Sequence, residues 1–281
     1  MIRVFFRRHR SWVYFYLSFL VITFVILTNI QPSYSQSWLN LLFQGVQVIQ
    51  FTTMSDSQEV QLAQQINDEL IRSGQFRISQ NPQLNQTIKR IGQRLAPTSG
   101  RPNLPYTFQV VDDTSINAFA TMGGFVYINT GLIAAAENEA ELASVVAHEV
   151  AHITARHSIT QMRDIALSQG LMSAAGLSEN TIVQLGVQLG VNLPHSRKDE
   201  LKADQLGLRN LISAGYAPIG MVTFMQKLMQ NNGPFAADFL STHPATSDRL
   251  RALNRAVDDQ RPYQGDGLDN QAYQQNVRRF L

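Results

Sequence analysis

The run from Glu141 to Ile153, ELASVVAHEVAHI, constrains this chain more than any other stretch. Leu142, Val146, Val150 and Ile153 recur at helical spacing and form one apolar stripe. Val145, Ala155 and Ile159 share the side of the histidines, and a helix apolar nearly all round is a buried helix. Into it the chain sets two imidazoles and a carboxylate, whose burial is costly unless they are paired or hold a metal ion. His148 and His152, four residues apart, lie on one helical face a turn from each other and can reach a single ion. Glu149 lies about 100° round the helix from His148, beside the ion, where it can act as a base on a water. The pattern predicts a buried metal helix from about Glu137 to Ile159.

The arrangement H-E-x-x-H is that of zinc peptidases, and a catalytic zinc site needs three protein ligands with one position left open. One large class supplies a third histidine six residues after the second, with a glycine between. Here those positions hold Ser158 and Ala155, so that class is excluded. His157 lies about 180° round a continuous helix from His148, which predicts a capping or surface histidine. A glutamate on a later helix is the alternative third ligand. Glu200 fits, 48 residues beyond His152, and Asp204 one turn on could orient a ligating histidine through its free ring nitrogen. Taken without the first motif, the same acids read as a solvated face among Arg197, Lys198 and Lys202. The chain has no cysteine, so thiolate ligands, a thiol nucleophile and disulfides are all excluded.

The 281 residues suit one good-sized domain with appendages, or two small ones, and 44% hydrophobic with 16% charged residues describes a globular chain. The formal charge of +2 belongs to the N-terminus. Residues 1–35 hold Arg3, Arg7, Arg8 and Arg10 and no acid; without them 19 basic side chains face 21 acidic ones. Nothing in that balance supports binding to nucleic acid. The arginines, the apolar run Trp12 to Ile30 and the small residues of Ser33-Tyr34-Ser35 read as an export signal. The run is also long enough to remain as a membrane anchor with the arginines inside.

Residues 36–55 form an amphipathic lead segment. Helices are expected from Ser55 to Ser73 and from Pro82 to Leu95, then an extended link to Pro105 and a strand from Tyr106 to Val111. Phe119 to Asn129 reads as a hairpin bent near Gly123-Gly124. Residues 164–193 form a helical insert, broken near Gly176-Leu177-Ser178 and too polar to span a bilayer. Helices follow from Arg197 to Ala214, Pro218 to Asn231 and Ala245 to Val257, and a loose polar tail occupies 258–281. The body, residues 56–257, is expected to be α+β and mainly helical, its active-site helix packed on a small, mostly antiparallel sheet.

His148-Glu149-x-x-His152 combined with Glu200-x-x-Ala203-Asp204 resembles the minigluzincin zinc metallopeptidases. These are the HtpX-, LoiP- and BepA-like proteases, kin of the CAAX prenyl endopeptidases. Asn117-Ala118-Phe119-Ala120-Thr121, Gly123-Gly124, Asn129-Thr130-Gly131, Ser196-Arg197, Gly215-Tyr216 and Ser241-Thr242-His243-Pro244 leading to Arg249 agree in order, over about residues 56 to 256. The resemblance implies a zincin-like fold and one Zn²⁺ per chain, held by His148, His152 and Glu200. It implies Glu149 as general base and Asp204 behind the ligands. It places His243 near the metal, as an oxyanion stabiliser or as a plug in the fourth position. It sets Gly124, Phe125, Val126 and Tyr127, with Asn117, at the rim of a cleft that takes an extended protein or peptide substrate. Met122 and His195 depart from the family pattern, where proline and an aromatic are common.

These readings converge on a zinc endopeptidase of the cell envelope, in the periplasm or on the outer face of the cytoplasmic membrane, associated with the membrane through its N-terminus and acting in protein quality control. The rival is an envelope chaperone or assembly factor with a latent, His-plugged zinc site. An intramembrane protease would need several spanning helices, and only residues 12–30 could span.

Overall fold

A computed structural model describes residues 53–74, 76–168, 178–191, 193–230, 239–244, 246–258 and 261–281. The expected export signal or anchor, and all but the last residues of the lead segment, lie outside these. None of the described helices is long and apolar enough to cross a membrane.

Helix α1 (Asp56–Arg72) starts on a capping box in which Ser55 and Gln58 bond each other's backbone N–H groups. Helix α2 (Pro82–Leu95) starts on Asn81, with Pro82 at its first position, and buries Leu84, Ile88, Ile91 and Leu95. Strands β1 (Thr107–Val111), β2 (Ala118–Ala120) and β3 (Phe125–Asn129) follow, then α3 (Thr130–Ala135) and the metal helix α4 (Glu139–Thr154). Helices α5 (His157–Ser168), α6 (Glu179–Val191), α7 (Arg197–Ser213), α8 (Ile219–Gln230), α9 (Ser247–Asp258) and α10 (Asn270–Asn276) complete the chain. The expected mainly helical α+β class holds.

The sheet differs from expectation in order and direction. Its order is β1-β3-β2, with β3 parallel to β1 and antiparallel to β2, so it is mixed and not mostly antiparallel. The hairpin between β2 and β3 forms as its turn signal predicts, around Gly123 at φ 70° and Gly124 at φ 109°. A Cβ on Gly123 would lie 2.5 Å from Ala63 Cβ, so only glycine fits that bend. Because β3 is central, all five of its residues are buried. Val126 and Ile128 face a core with α2 and α4. Phe125 and Tyr127 face a second core with α1, α5 and α6. The alternation is the two-residue period of a strand buried on both sides.

The expected long metal helix is two helices. It ends at Thr154, and Arg156 takes a left-handed φ of 58° that turns the chain into α5. That costly conformation is held by Glu59, which is fully buried. Arg156 Nε and Nη2 donate to Glu59 Oε2 at 3.0 and 2.8 Å. Arg101 donates to both Glu59 oxygens, and Gly123 N–H donates to Oε1 at 2.9 Å. Burial alone would raise the Glu59 carboxyl, but Arg101, Gly123 and Arg156 hold it below its ordinary value. One carboxylate thus joins α1, the hairpin bend and the end of the metal helix.

The C-terminal residues are not loose. Gly267 O accepts from Ala140 N at 2.9 Å, and the buried Tyr273 donates its hydroxyl to Ile133 O at 2.8 Å. The tail packs because Tyr273 and Val277 supply the apolar anchors its polar composition hides.

Helices α4 and α7 touch closely at Gly207, where an added Cβ would lie 3.1 Å from His148 Cα and 3.2 Å from Ala147 O. Alanine gains about 0.5–1 kcal/mol in helix propensity. Pressing a methyl against backbone atoms costs about 1–3 kcal/mol, so the clash wins. Gly207→Ala is expected to lower the urea midpoint with an unchanged slope; a midpoint equal to or above wild type would show that the helices need no such contact.

Candidate metal centre

Helix α4 delivers His148, Glu149 and His152, all buried. Helix α7 delivers Glu200 and Asp204 from its N-terminal half, after Ser196 caps it by accepting from Asp199 N–H. His243 arrives from the turn before α9, its backbone N–H bonded to Phe239 O at 2.7 Å and its ring stacked on Phe239.

These side chains meet at one point. His148 Nε2 and His152 Nε2 face each other at 3.1 Å. Glu200 Oε2 lies 3.4 Å from His148 Nε2, and its Oε1 lies 3.3 Å from His152 Nε2. His243 Nδ1 is 3.2 Å from Glu200 Oε1. One donor atom from each of the four lies within 4.8 Å of all the others, and this is the only such group among the described residues.

The set fits zinc on two counts. Imidazole nitrogen and carboxylate oxygen are the donors zinc takes when no thiolate is offered. Four ligands at about 2.0–2.1 Å in a tetrahedron stand about 3.3 Å from one another, close to the spacings seen here.

The surroundings fix the charges. Asp204 Oδ1 lies 3.2 Å from His148 Nδ1. Arg249, also buried, donates from Nε and Nη2 to the two Asp204 oxygens, each at 2.7 Å, and brings Nη1 within 2.5 Å of Glu200 Oε2. Burial opposes charge on His148, but Asp204 and Glu200 outweigh it and push that imidazole up to about 10 in the metal-free chain. Burial would raise Glu200, but His243, His148 and His152 hold it far below the ordinary carboxylate range. Asp204 is likewise lowered against its burial by Arg249 and His148. Burial, with His195 beside it, keeps His152 well below its ordinary value and so neutral.

Glu149 is placed differently. It is fully buried, and neither carboxylate oxygen has a hydrogen-bond partner. His243 Nε2 lies 3.6 Å from Oε1. Burial raises its carboxyl above the ordinary value.

Two expectations need correction. Phe125, Val126 and Tyr127 cannot offer an edge to a substrate, because β3 is the central strand and both its sides are bonded, and Gly124 lies in the bend before it, close against the backbone of Pro105 and Tyr106. The unbroken apolar run Phe125-Val126-Tyr127-Ile128 carried that signal, since an edge strand would alternate with polar residues. The edge strands are β1, whose outer side is bridged by Ile78 at Val111, and β2, which packs against α4 and β3. Asn117 precedes β2; its side chain accepts from Ala118 N–H at 2.9 Å and its carbonyl from Asn129 N–H. His157 is neither cap nor surface: it is buried, with Nδ1 3.0 Å from His152 Nδ1, because the turn at Arg156 swings it back toward the helix. Burial lowers its imidazole.

Two further residues join the centre. Arg249 had no separate role in the motif it ends, and only its pairing with Asp204 reveals one. His195, partly buried, tilts against His152 with ring centroids 4.0 Å apart, and its Nδ1 has no partner. Burial, reinforced by His243, pushes it down to about 3.

A helix bearing H-E-x-x-H, joined by a glutamate from a later helix beside a small mixed sheet, defines a metallopeptidase-type centre. The model of peptidase family M48 matches residues 82–257, and the chain belongs to that family. It is 29% identical over 228 residues to the beta-barrel assembly-enhancing protease of Escherichia coli (strain K12), covering 75% of this chain and 46% of that protein. It is 32% identical over 185 residues to a putative protein of the same name in Vibrio cholerae, covering 60% and 38%. It is 34% identical over 176 residues to the mitochondrial metalloendopeptidase OMA1 of Arabidopsis thaliana, covering 62% and 36%. The chain thus spans less than half the length of these relatives.

The raised His148 value sets a pH dependence. In the metal-free fold its ion pairs contribute stability fully below about pH 6.5, lost as pH rises toward 10. Glu200 works the other way, contributing above its ordinary value of 4.5 and losing that as pH falls. Zinc must displace the His148 proton. Its affinity is therefore expected to rise about tenfold per pH unit through the neutral range, with about one proton released per ion in titration calorimetry across buffers. A pH-independent affinity without proton release would contradict the assignment of His148.

Proposed function

We propose that the chain is a zinc-dependent endopeptidase of the cell envelope that cleaves misfolded or client proteins, with Glu149 as general base. The observation that carries the reading is Glu149 itself. A buried carboxylate with no hydrogen-bond partner costs several kcal/mol, and folds keep such groups where chemistry uses them. It sits one residue from His148, with Oε1 3.6 Å from His243 Nε2.

His148, His152 and Glu200 would hold the zinc. The ion would polarise the scissile carbonyl and lower the pKa of a water beside it. Glu149 takes that water's proton and hands it to the leaving amine nitrogen; its raised pKa suits both halves of the transfer. Asp204 and Arg249 hold His148 and Glu200 in place. The unpaired side of β2 replaces β3 as the place where an extended substrate pairs, next to the metal helix. Helix α6 runs beside it, with Gly190 close to Phe119 and Thr121, so a substrate passes between α6 and α4.

His243 supports a second reading. As a fourth donor, and the third nitrogen, it brings the set to four, which is the ligand count of a structural site. The resting centre is then closed, and the chain is an assembly factor or a protease that a client opens. The envelope placement rests on residues 1–35, whose arginines and apolar run read as an export signal or anchor. The relatives' names divide between bacterial and mitochondrial proteins.

Glu149→Gln is expected to keep its zinc and fold while casein cleavage drops about 10²–10⁴-fold. Cleavage at the wild-type rate would remove Glu149 from the role of base. His243→Ala is expected to raise the rate if the ring closes the site. A zinc-loaded His243→Ala chain inert toward every unfolded substrate would favour the assembly-factor reading.

A further inference from the structure

Both ligating histidines turn Nε2 toward the cluster. A ring nitrogen that binds a cation must be bare, so each ring carries its proton on Nδ1. For His148 the atom that accepts this proton is Asp204 Oδ1, at 3.2 Å. For His152 the atom in the same place is Nδ1 of His157, at 3.0 Å.

Two imidazole nitrogens in that contact share one proton. If His152 supplies it, His157 Nδ1 must be bare, and the His157 ring is neutral with its proton on Nε2. That nitrogen faces Asp199 Oδ1 at 3.6 Å. The opposite arrangement would force the His152 proton onto Nε2, where it would point into the cluster and block the ion.

We infer that His157 is a positioning residue for the metal centre: its bare Nδ1 accepts the His152 Nδ1 proton and so commits His152 Nε2 to the ion. This rests on the metal-centre reading above. The contact depends on the left-handed turn at Arg156, which brings the first residue of α5 back against α4. It also reaches the third ligand. Asp199 precedes Glu200 and is tied to Ser196, whose hydroxyl donates to Asp199 Oδ2 at 2.6 Å. A line of polar contacts therefore runs from His152 through α5 to the first turn of α7.

Two measurements on the full chain test it. His157→Leu keeps the volume and removes the acceptor; His157→Asn places an amide oxygen near the position of Nδ1. By chelator competition with zinc alone, the leucine variant is expected to weaken zinc binding about 10- to 100-fold, and the asparagine variant to recover most of it. Equal zinc affinity in wild type and His157→Leu, or a His157→Asn chain as weak as His157→Leu, would overturn the inference and leave the metal centre standing. A wild-type chain that binds no zinc would instead sink the metal-centre reading. Should the variants not fold, ¹⁵N-edited ring spectra of the zinc-loaded wild type decide. The expected pattern is Nδ1–H on His152 and Nε2–H on His157; a proton on His157 Nδ1 would overturn it.

Discussion

Glu200 is a carboxylate with no exposure to solvent, and the charge it carries into the interior must be matched there. Three imidazoles and the Arg249 guanidinium surround it, drawn from α4, α9 and the turn before α9. Arg249 also grips Asp204, which in turn holds His148, so the ion pairs close a ring around the donor cluster. Removing any one member would leave another charge buried and unpaired, a loss of about 3–5 kcal/mol. The close approach of α4 and α7 at Gly207 and the bidentate Arg249–Asp204 pair follow from that requirement.

A second buried carboxylate, Glu59, does the corresponding work for the backbone. It ties the start of α1 to the hairpin bend and to the left-handed turn at Arg156. That turn frees α5 from the direction of α4, and so allows a histidine five residues past His152 to come back against it. The metal centre and the framework are thus separate networks joined at the end of one helix. Glu149 stands outside both, buried with neither carboxylate oxygen hydrogen-bonded.

Much of this was legible in the residues. Apolar spacing marked α2 and the core of α4. The cap pattern at Ser55 and the Pro82 start marked helix ends, because those effects are local. Glu200 and Asp204 were legible through their spacing on one face of a single helix. What escaped was non-local. The apolar run of β3 signals a strand covered on both sides, but no pattern along the chain states that β1 pairs parallel to it and that β1 and β2 become the edges. A helical wheel placed His157 on the wrong side because it assumed an unbroken helix; a positive φ at an arginine leaves no mark in hydrophobic periodicity. Arg249 lies 45 residues from Asp204, and its pairing exists only in space. The polar composition of 258–281 concealed Tyr273 and Val277, the apolar anchors that dock α10.

The account stands on one ion held by nitrogen and oxygen donors from α4, α7 and the turn before α9. Zinc K-edge absorption on the purified, zinc-loaded chain reads that shell directly. The prediction is one zinc per chain with four nitrogen or oxygen neighbours at about 2.0 Å, at least two of them showing the outer-shell scattering of imidazole rings. A six-oxygen shell, or a zinc signal that persists unchanged when His148 and His152 are both replaced by alanine, would contradict it.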